Sequence, residues 1–417
     1  MLLIAACNDD DGGSTGTGGS TGAGTGTGTG GAAGTGGTSG AGGAAAAASA
    51  SASAGKSPKT SAAKITVLPA DKATNASFTT PVRVTVASGT LTSVRLADST
   101  GRAVEGRMSA GSTSWTSTGP LTSGTKYTVA VAATDGDQLE AAANTTFTTA
   151  TPANTFVGYF TPENGSVVGV GMPVSINFNK PITDRAAVQQ AITVTAQPGV
   201  EIVGHWFSST RLDFRPQEYW AAGTKVTLKL RLKDVEGAKG SYGTQSKDVR
   251  FTVGRSQTSV VDLAAKTLTV TTDGQVSATY PISGGSPEHR TWGGKMVISE
   301  QFQQTKMDST TVGLGDEYNI PDVPHAQRLT TSGTFVHGNY WSNPAIFGSQ
   351  NTSHGCVGLQ DAKGGQDPNT NGYAFYTGSI VGDVVEVVNS GDKTVDPANG
   401  LNGWNLDWAA WRAGSAV

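Results

Sequence analysis

A chain of 417 residues exceeds what one hydrophobic core organises, so it divides into two to four domains. Its 57 glycines, with only 7% aromatic and 15% charged residues, require part of it to be low-complexity rather than packed. A net charge of −3, with no Lys/Arg cluster interleaved with aromatics, excludes a nucleic-acid binder.

The first element is "MLLIAAC", where a short apolar run meets small residues directly before Cys7, one of two cysteines in the chain. Ile4-Ala5-Ala6-Cys7 resembles a bacterial lipobox, in which small residues admit a signal peptidase and the cysteine takes the lipid. A basic n-region and a longer apolar core are missing, so the true start is expected upstream of Met1. From Gly12 to Gly55 the chain uses only Gly, Ser, Thr and Ala, which cannot form a core. As a random coil such a stretch spans roughly 36 Å root-mean-square and about 150 Å at full extension. A lipid anchor followed by a tether suits a protein that works at a distance from a membrane.

Ordered structure is expected from near Lys64. The runs "PVRVTVAS", "LTSVRLAD", "KYTVAVAATD" and "NTTFTTA" alternate apolar and polar residues between turn residues, the pattern of an antiparallel sandwich. A second set follows in "PVSINFN", "RLDFRP", "KVTLKLRLKD" and "DVRFTV". The segments Ser123–Gly136 and Ala222–Val235 echo each other about one immunoglobulin-like domain apart. Two such domains are read, at 63–151 and 152–254.

After Arg255 the texture changes. Leu268 and Val270 alternate before Asp273-Gly274, and Val276, Ala278 and Tyr280 beyond it, which predicts a hairpin with a type I′ turn. Further strands are expected at "KMVIS", "GTFVH" and "GDVVEVVNS", and no amphipathic helix is long enough to dominate. In "NGWNLDWAAWRAG", Trp404, Trp408 and Trp411 recur at the spacing of one helical face, a packing stripe that docks the tail on a domain junction; carbohydrate stacking is the alternative.

The third domain carries Cys356 in "TSHGCVGL". A thiol attacks carbonyls as thiolate and needs a base to become one. His354 is two residues away, but His337, at the end of a predicted strand, has the better geometry for a base. Gly355 and Gly358 suit an exposed backbone whose N–H groups hold an oxyanion. Spacing alone leaves a small buried thiol as the commoner alternative. His337, His354 and Cys356 make a weak metal set, since no fourth Cys or His is near and no common zinc spacing is matched. No metal and no cofactor are expected.

"VHGNYW" followed by "TSHGCVGL" resembles the signature of the YkuD-type L,D-transpeptidases. "KMDSTTVG", "TSGTFVH", "GDVVEVVN" and the Trp-rich tail are similar to the actinobacterial, lipid-anchored branch with two immunoglobulin-like domains. The resemblance covers nearly everything after residue 63. It implies a mainly β chain: a truncated lipoprotein signal at 1–7, a disordered tether at 8–62, two immunoglobulin-like β-sandwiches, a β-rich YkuD-type catalytic domain at 255–395 and a short helical Trp-rich C-terminal extension at 396–417. It implies Cys356 as nucleophile, His337 as general base and the Gly338 carbonyl as the group that orients the imidazole. His354 and Gly355 would shape the nucleophile turn and, with the Cys356 amide, the oxyanion hole. Tyr318 would lie on a lid, Ser332-Gly333 in a strand pairing with substrate backbone, and Trp341 along the cleft. The family's asparagine two residues after the cysteine is Gly358 here, which puts one substrate contact in doubt.

The implied activity is peptidoglycan cross-linking through a Cys thioester, with release of D-Ala and formation of 3→3 links between stem peptides, and carbapenems as covalent inhibitors. The implied location is the extracytoplasmic face of the cell membrane, lipid-anchored and reaching into the cell wall. An L,D-carboxypeptidase using water, or an inactive surface spacer, are the alternatives.

Overall fold

The computed structural model describes residues 59–417 except Leu314. The lipobox at Cys7 and nearly all of the tether lie outside the described residues. No helix among the described residues is long and apolar enough to cross a membrane.

The first sandwich forms because its strands bury alternate side chains. Along Lys126–Thr134 the inward positions are Tyr127, Val129, Val131 and Ala133, while Thr128 and Ala130 face water. A four-stranded and a five-stranded sheet close over a core that includes Val84, Leu96, Trp115 and Phe147. In the second domain the echoed strand Lys225–Arg231 repeats the pattern with Val226, Leu228 and Leu230. Two four-stranded sheets and a three-stranded ribbon surround Ile176, Trp206, Leu212 and Phe251.

The third domain is built on a nine-stranded mixed sheet. At its centre, Thr267–Thr272 and Gln275–Ser283 form the expected hairpin, with positive φ at both Asp273 (50°) and Gly274 (80°) as a type I′ turn demands. A bulge between Val270 and Thr271 breaks the expected alternation, so Val270 is buried while Val276 is 66% exposed. The hairpin pairs with Val357–Gln360, which lies parallel to Phe335–Asn339; beyond it run Asn319–Arg328 and Glu300–Asp308. Val336, Val357 and Leu359 point into the core with Leu268, Ile282 and Val385. Each such side chain contributes about 1.5–3 kcal/mol of burial.

The second and third domains interlock through backbone. Gly169 and Gly171 donate to the carbonyls of Val381 and Gly382, each at 2.9 Å. A Cβ at Gly169 would lie 2.1 Å from the Asp383 nitrogen, so only glycine permits the approach. Arg255 Nη2 donates to Asp383 Oδ2 at 2.9 Å, yet burial still pushes the Asp383 carboxyl up to about 6.

The tail clasps this junction, although not as one helix. Trp404 sits in a 3₁₀ turn, Gly403–Asn405, and Trp408 opens a separate helix, Trp408–Ala413, because Asp407 caps it by accepting from the Ala410 amide at 2.7 Å. The three indoles nevertheless converge on the Arg215 guanidinium, 4.6, 5.5 and 4.3 Å from the rings of Trp404, Trp408 and Trp411. Trp404 Nε1 donates to the Gly171 carbonyl and Trp411 Nε1 to that of Val203. Trp411 is 0% exposed, so it has no face for a sugar and serves packing. Trp411→Ala is expected to cost about 3–5 kcal/mol, read as a lowered urea midpoint of the whole protein; an unchanged midpoint would mean the clasp carries no stability.

Candidate active site

The parallel register sets the site. Val336 stands opposite Val357 and His337 opposite Gly358, so Cys356, one residue before Val357, aligns with Phe335. With Val336, Val357 and Leu359 committed to the core, the opposite face carries His337, Asn339 and Cys356. These three line one pocket with Met307, Tyr318, Ile320, Trp341, Ser342, Thr352, Ser353 and His354. Glycine at 358 leaves the place across from His337 without a side chain.

His337 is buried, and its Nδ1 lies 2.8 Å from the Gly338 carbonyl. A carbonyl only accepts, so Nδ1 carries the proton and Nε2 is left as the basic nitrogen. The indole of Trp341 stacks on the imidazole, with centroids 5.7 Å apart and planes 13° from parallel. Behind Gly338 stands a pair that sequence reasoning missed: buried His325 Nδ1 lies 2.7 Å from Asp361 Oδ2. A Cβ at Gly338 would fall 2.1 Å from that same oxygen, so residue 338 has no room for a side chain. Burial lowers the His337 pKa, with the Gly338 carbonyl and the Asp361 charge opposing it.

Cys356 is a half-buried free thiol, pushed up to about 11 by desolvation, with the Phe335 backbone bond opposing. Its Sγ donates to the Gly333 carbonyl at 3.5 Å. Burial therefore favours thiol and neutral imidazole at rest, so a nucleophilic role would require this thiol to lose its proton as it attacks. Its turn is pinned: Ser353 Oγ donates to the Cys356 carbonyl at 2.5 Å and accepts from the Gly355 amide at 3.2 Å. Gly355, at φ +111°, thus spends its amide inside the turn, whereas no hydrogen bond of the Cys356 amide is found among the described residues.

Ser332 and Gly333 differ from expectation: they form a turn, not a strand. Gly333 has φ +104°, its amide reaches the Thr330 carbonyl at 3.4 Å, and Asn399 Oδ1 accepts from the Ser332 amide at 3.2 Å. They line a second pocket, which shares Tyr318 and His354 with the first. Those two rings are 5.0 Å apart and form the partition. Burial, with the charges of Cys356, Asp308 and Glu317, pushes Tyr318 up to about 12, so it remains a neutral phenol.

The bacterial Ig domain family matches residues 73–236, and the L,D-transpeptidase catalytic domain matches 256–364. L,D-transpeptidase 2 of Mycobacterium tuberculosis is 35% identical over 358 residues, 85% of either chain. The chain belongs to the L,D-transpeptidase family. L,D-transpeptidase 5 of the same species is 31% identical, covering 85% of this chain and 78% of its own. A solved L,D-transpeptidase in complex with imipenem is 31% identical and covers 57% of this chain and 100% of its own, with a TM-score of 0.47. The chain is accordingly an L,D-transpeptidase with immunoglobulin-like domains ahead of its catalytic domain.

Proposed function

We propose that this L,D-transpeptidase makes 3→3 peptidoglycan cross-links with Cys356 as nucleophile and His337 as general base. The observation that carries the assignment is the fixed tautomer of His337 on the sheet face it shares with Cys356. As the donor stem's carbonyl arrives, His337 Nε2 takes the thiol proton, the S–C bond forms, and the C–N bond to D-Ala breaks as that proton passes to the leaving amine. A second stem's amine then opens the thioester, which releases the thiol. The Cys356 amide is assigned to the oxyanion; His354 and Gly355 shape the turn; Tyr318, Ser332, Gly333 and Trp341 are assigned to the substrate cleft. Disaccharide-tetrapeptide given to the protein should yield a dimer lighter by D-Ala. Tripeptide monomer alone would make it an L,D-carboxypeptidase.

At Gly358, an added Cβ would meet Asn339 Nδ2 and the Ser283 carbonyl at 3.5 Å, ordinary contact distances. Gly358→Asn should therefore fold and tighten donor binding by no more than one hydrogen bond, about 0.5–1.5 kcal/mol. Unchanged affinity by titration with donor would mean that Asn339 already serves that place.

We also propose that Cys7 is lipidated and that the enzyme works from the extracytoplasmic face of the membrane, a reading supported by the lipobox resemblance and the uncharged tether. Cys7→Ser should release the protein from the membrane fraction of its host cell, and unchanged partitioning would count against the anchor.

A further inference from the structure

Among the described residues, His289, Glu317 and His354 form one group whose ligand atoms all lie within 4.8 Å of one another. Both imidazoles turn Nε2 to the same carboxylate oxygen: Glu317 Oε2 is 3.0 Å from His354 Nε2 and 3.5 Å from His289 Nε2. The three come from separate segments, each held by hydrogen bonds at the ligand residue or at its immediate neighbour. The His289 amide donates to the Ser286 carbonyl at 3.1 Å, and the Ser286 amide to Ser353 at 2.8 Å, which ties this loop to the segment carrying His354. Glu317 is held by buried Ser309, whose Oγ accepts from the amides of Glu317 at 2.9 Å and Tyr318 at 3.0 Å. The side chains of His289, Glu317 and His354 are 30, 42 and 36% exposed, so the group is open to solvent on one side.

The geometry points to a binding site for a divalent transition-metal ion, with zinc the best match, held by His289, Glu317 and His354 and completed by water. Two imidazoles and one carboxylate are a donor set suited to zinc with an open position, and convergent ligands on pinned backbone need little reorganisation to bind. Cys356 is not a ligand. An ion there joins the segment leading into Tyr318 to the turn leading into Cys356, across the partition between the two pockets. Zinc therefore restrains access to the thiol and slows acylation, a consequence that rests on the catalytic reading above, whereas the site itself does not.

The test uses cobalt(II) as a spectroscopic stand-in, titrated into chelator-treated protein. One equivalent should bind with the visible bands of a low-coordinate cobalt site and without a thiolate charge-transfer band, and Cys356→Ala should bind equally. His289→Ala and Glu317→Gln should each weaken binding by at least the about 10–100-fold lost when an outer-shell partner of a metal ligand is removed. Absence of cobalt uptake, loss of binding in Cys356→Ala, or undiminished binding in His289→Ala would overturn the site. Zinc should slow carbapenem acylation of the wild type more than that of His289→Ala; equal slowing would overturn the link to the thiol. Acylation without metal reports on the catalytic reading alone, so a protein that acylates but takes up no cobalt sinks only this site.

Discussion

Incubated with a carbapenem, the protein gains one drug mass on the Cys356 peptide, and Cys356→Ala gains none. A β-lactam is a strained amide carbonyl, so the thiol positioned for a stem peptide opens it by the same step: sulfur bonds to the carbonyl carbon, the lactam C–N bond breaks, and the thiol proton ends on the lactam nitrogen through His337. With Cys356 pushed up to about 11, free thiolate is scarce at neutral pH, and trapping reports proton removal within the site rather than chance reactivity of an exposed cysteine. Tyr318 and Trp341 both line the thiol's pocket, and a β-lactam with a small side chain is expected to be trapped faster than a bulky one. Intact-mass and peptide spectra read the result. An adduct that persists in Cys356→Ala, or a folded wild type that stays unmodified, would remove the thiol from the centre of the mechanism.

His337→Ala loses acylation by the about 10²–10⁴-fold expected of a positioned general base, whereas His354→Ala loses less and through the turn. Of the two, His337 has its Nδ1 fixed by the neighbouring Gly338 carbonyl, whereas His354 is directed at Glu317 and Tyr318. The sign of the pH dependence follows. Burial lowers the His337 pKa, so the imidazole stays neutral and able to accept a proton below the ordinary histidine value of about 6.5, and acylation by the wild type should persist further into acid than an exposed histidine would allow. Stopped-flow acylation across pH measures the acid limb, and circular dichroism checks that both variants fold. Equal losses in the two alanine variants would leave the base unassigned, and the reverse ranking would transfer the role to His354.

Much of this was legible in the chain itself. Period-two alternation located the strands of both sandwiches, and Asp273-Gly274 located the hairpin, because both signals are local. The motif around Cys356 singled out the proposed nucleophile for the same reason. What escaped was long-range or disguised. Asn319–Arg328 contains Pro321 and Pro324, which argue against a strand, yet it pairs with Glu300–Asp308 along most of its length. Helix Asn371–Gly378 has no amphipathic period and starts from the Thr370 cap, so its composition reads as loop. The pairing of His325 with Asp361 spans 36 residues, and neither residue has a local signal. The family resemblance implied a strand at Ser332-Gly333, but the positive φ at Gly333 is a property of the turn that only the fold reveals. The tryptophan spacing found the right three residues and the wrong helix, because Asp407 between them caps rather than continues it.

The clasp of Trp404, Trp408 and Trp411 on Arg215 gives biosynthesis a direction. The ribosome makes Arg215 and the rest of the second domain long before the indoles that cover that guanidinium, and His337 and Cys356 emerge in between. A nascent chain therefore holds Cys356 before the junction is sealed. Translation that halts after Val388 but before Gly403 leaves a polypeptide that holds both His337 and Cys356 but has an open seam, distinguishable from the finished enzyme by protease sensitivity at the second domain.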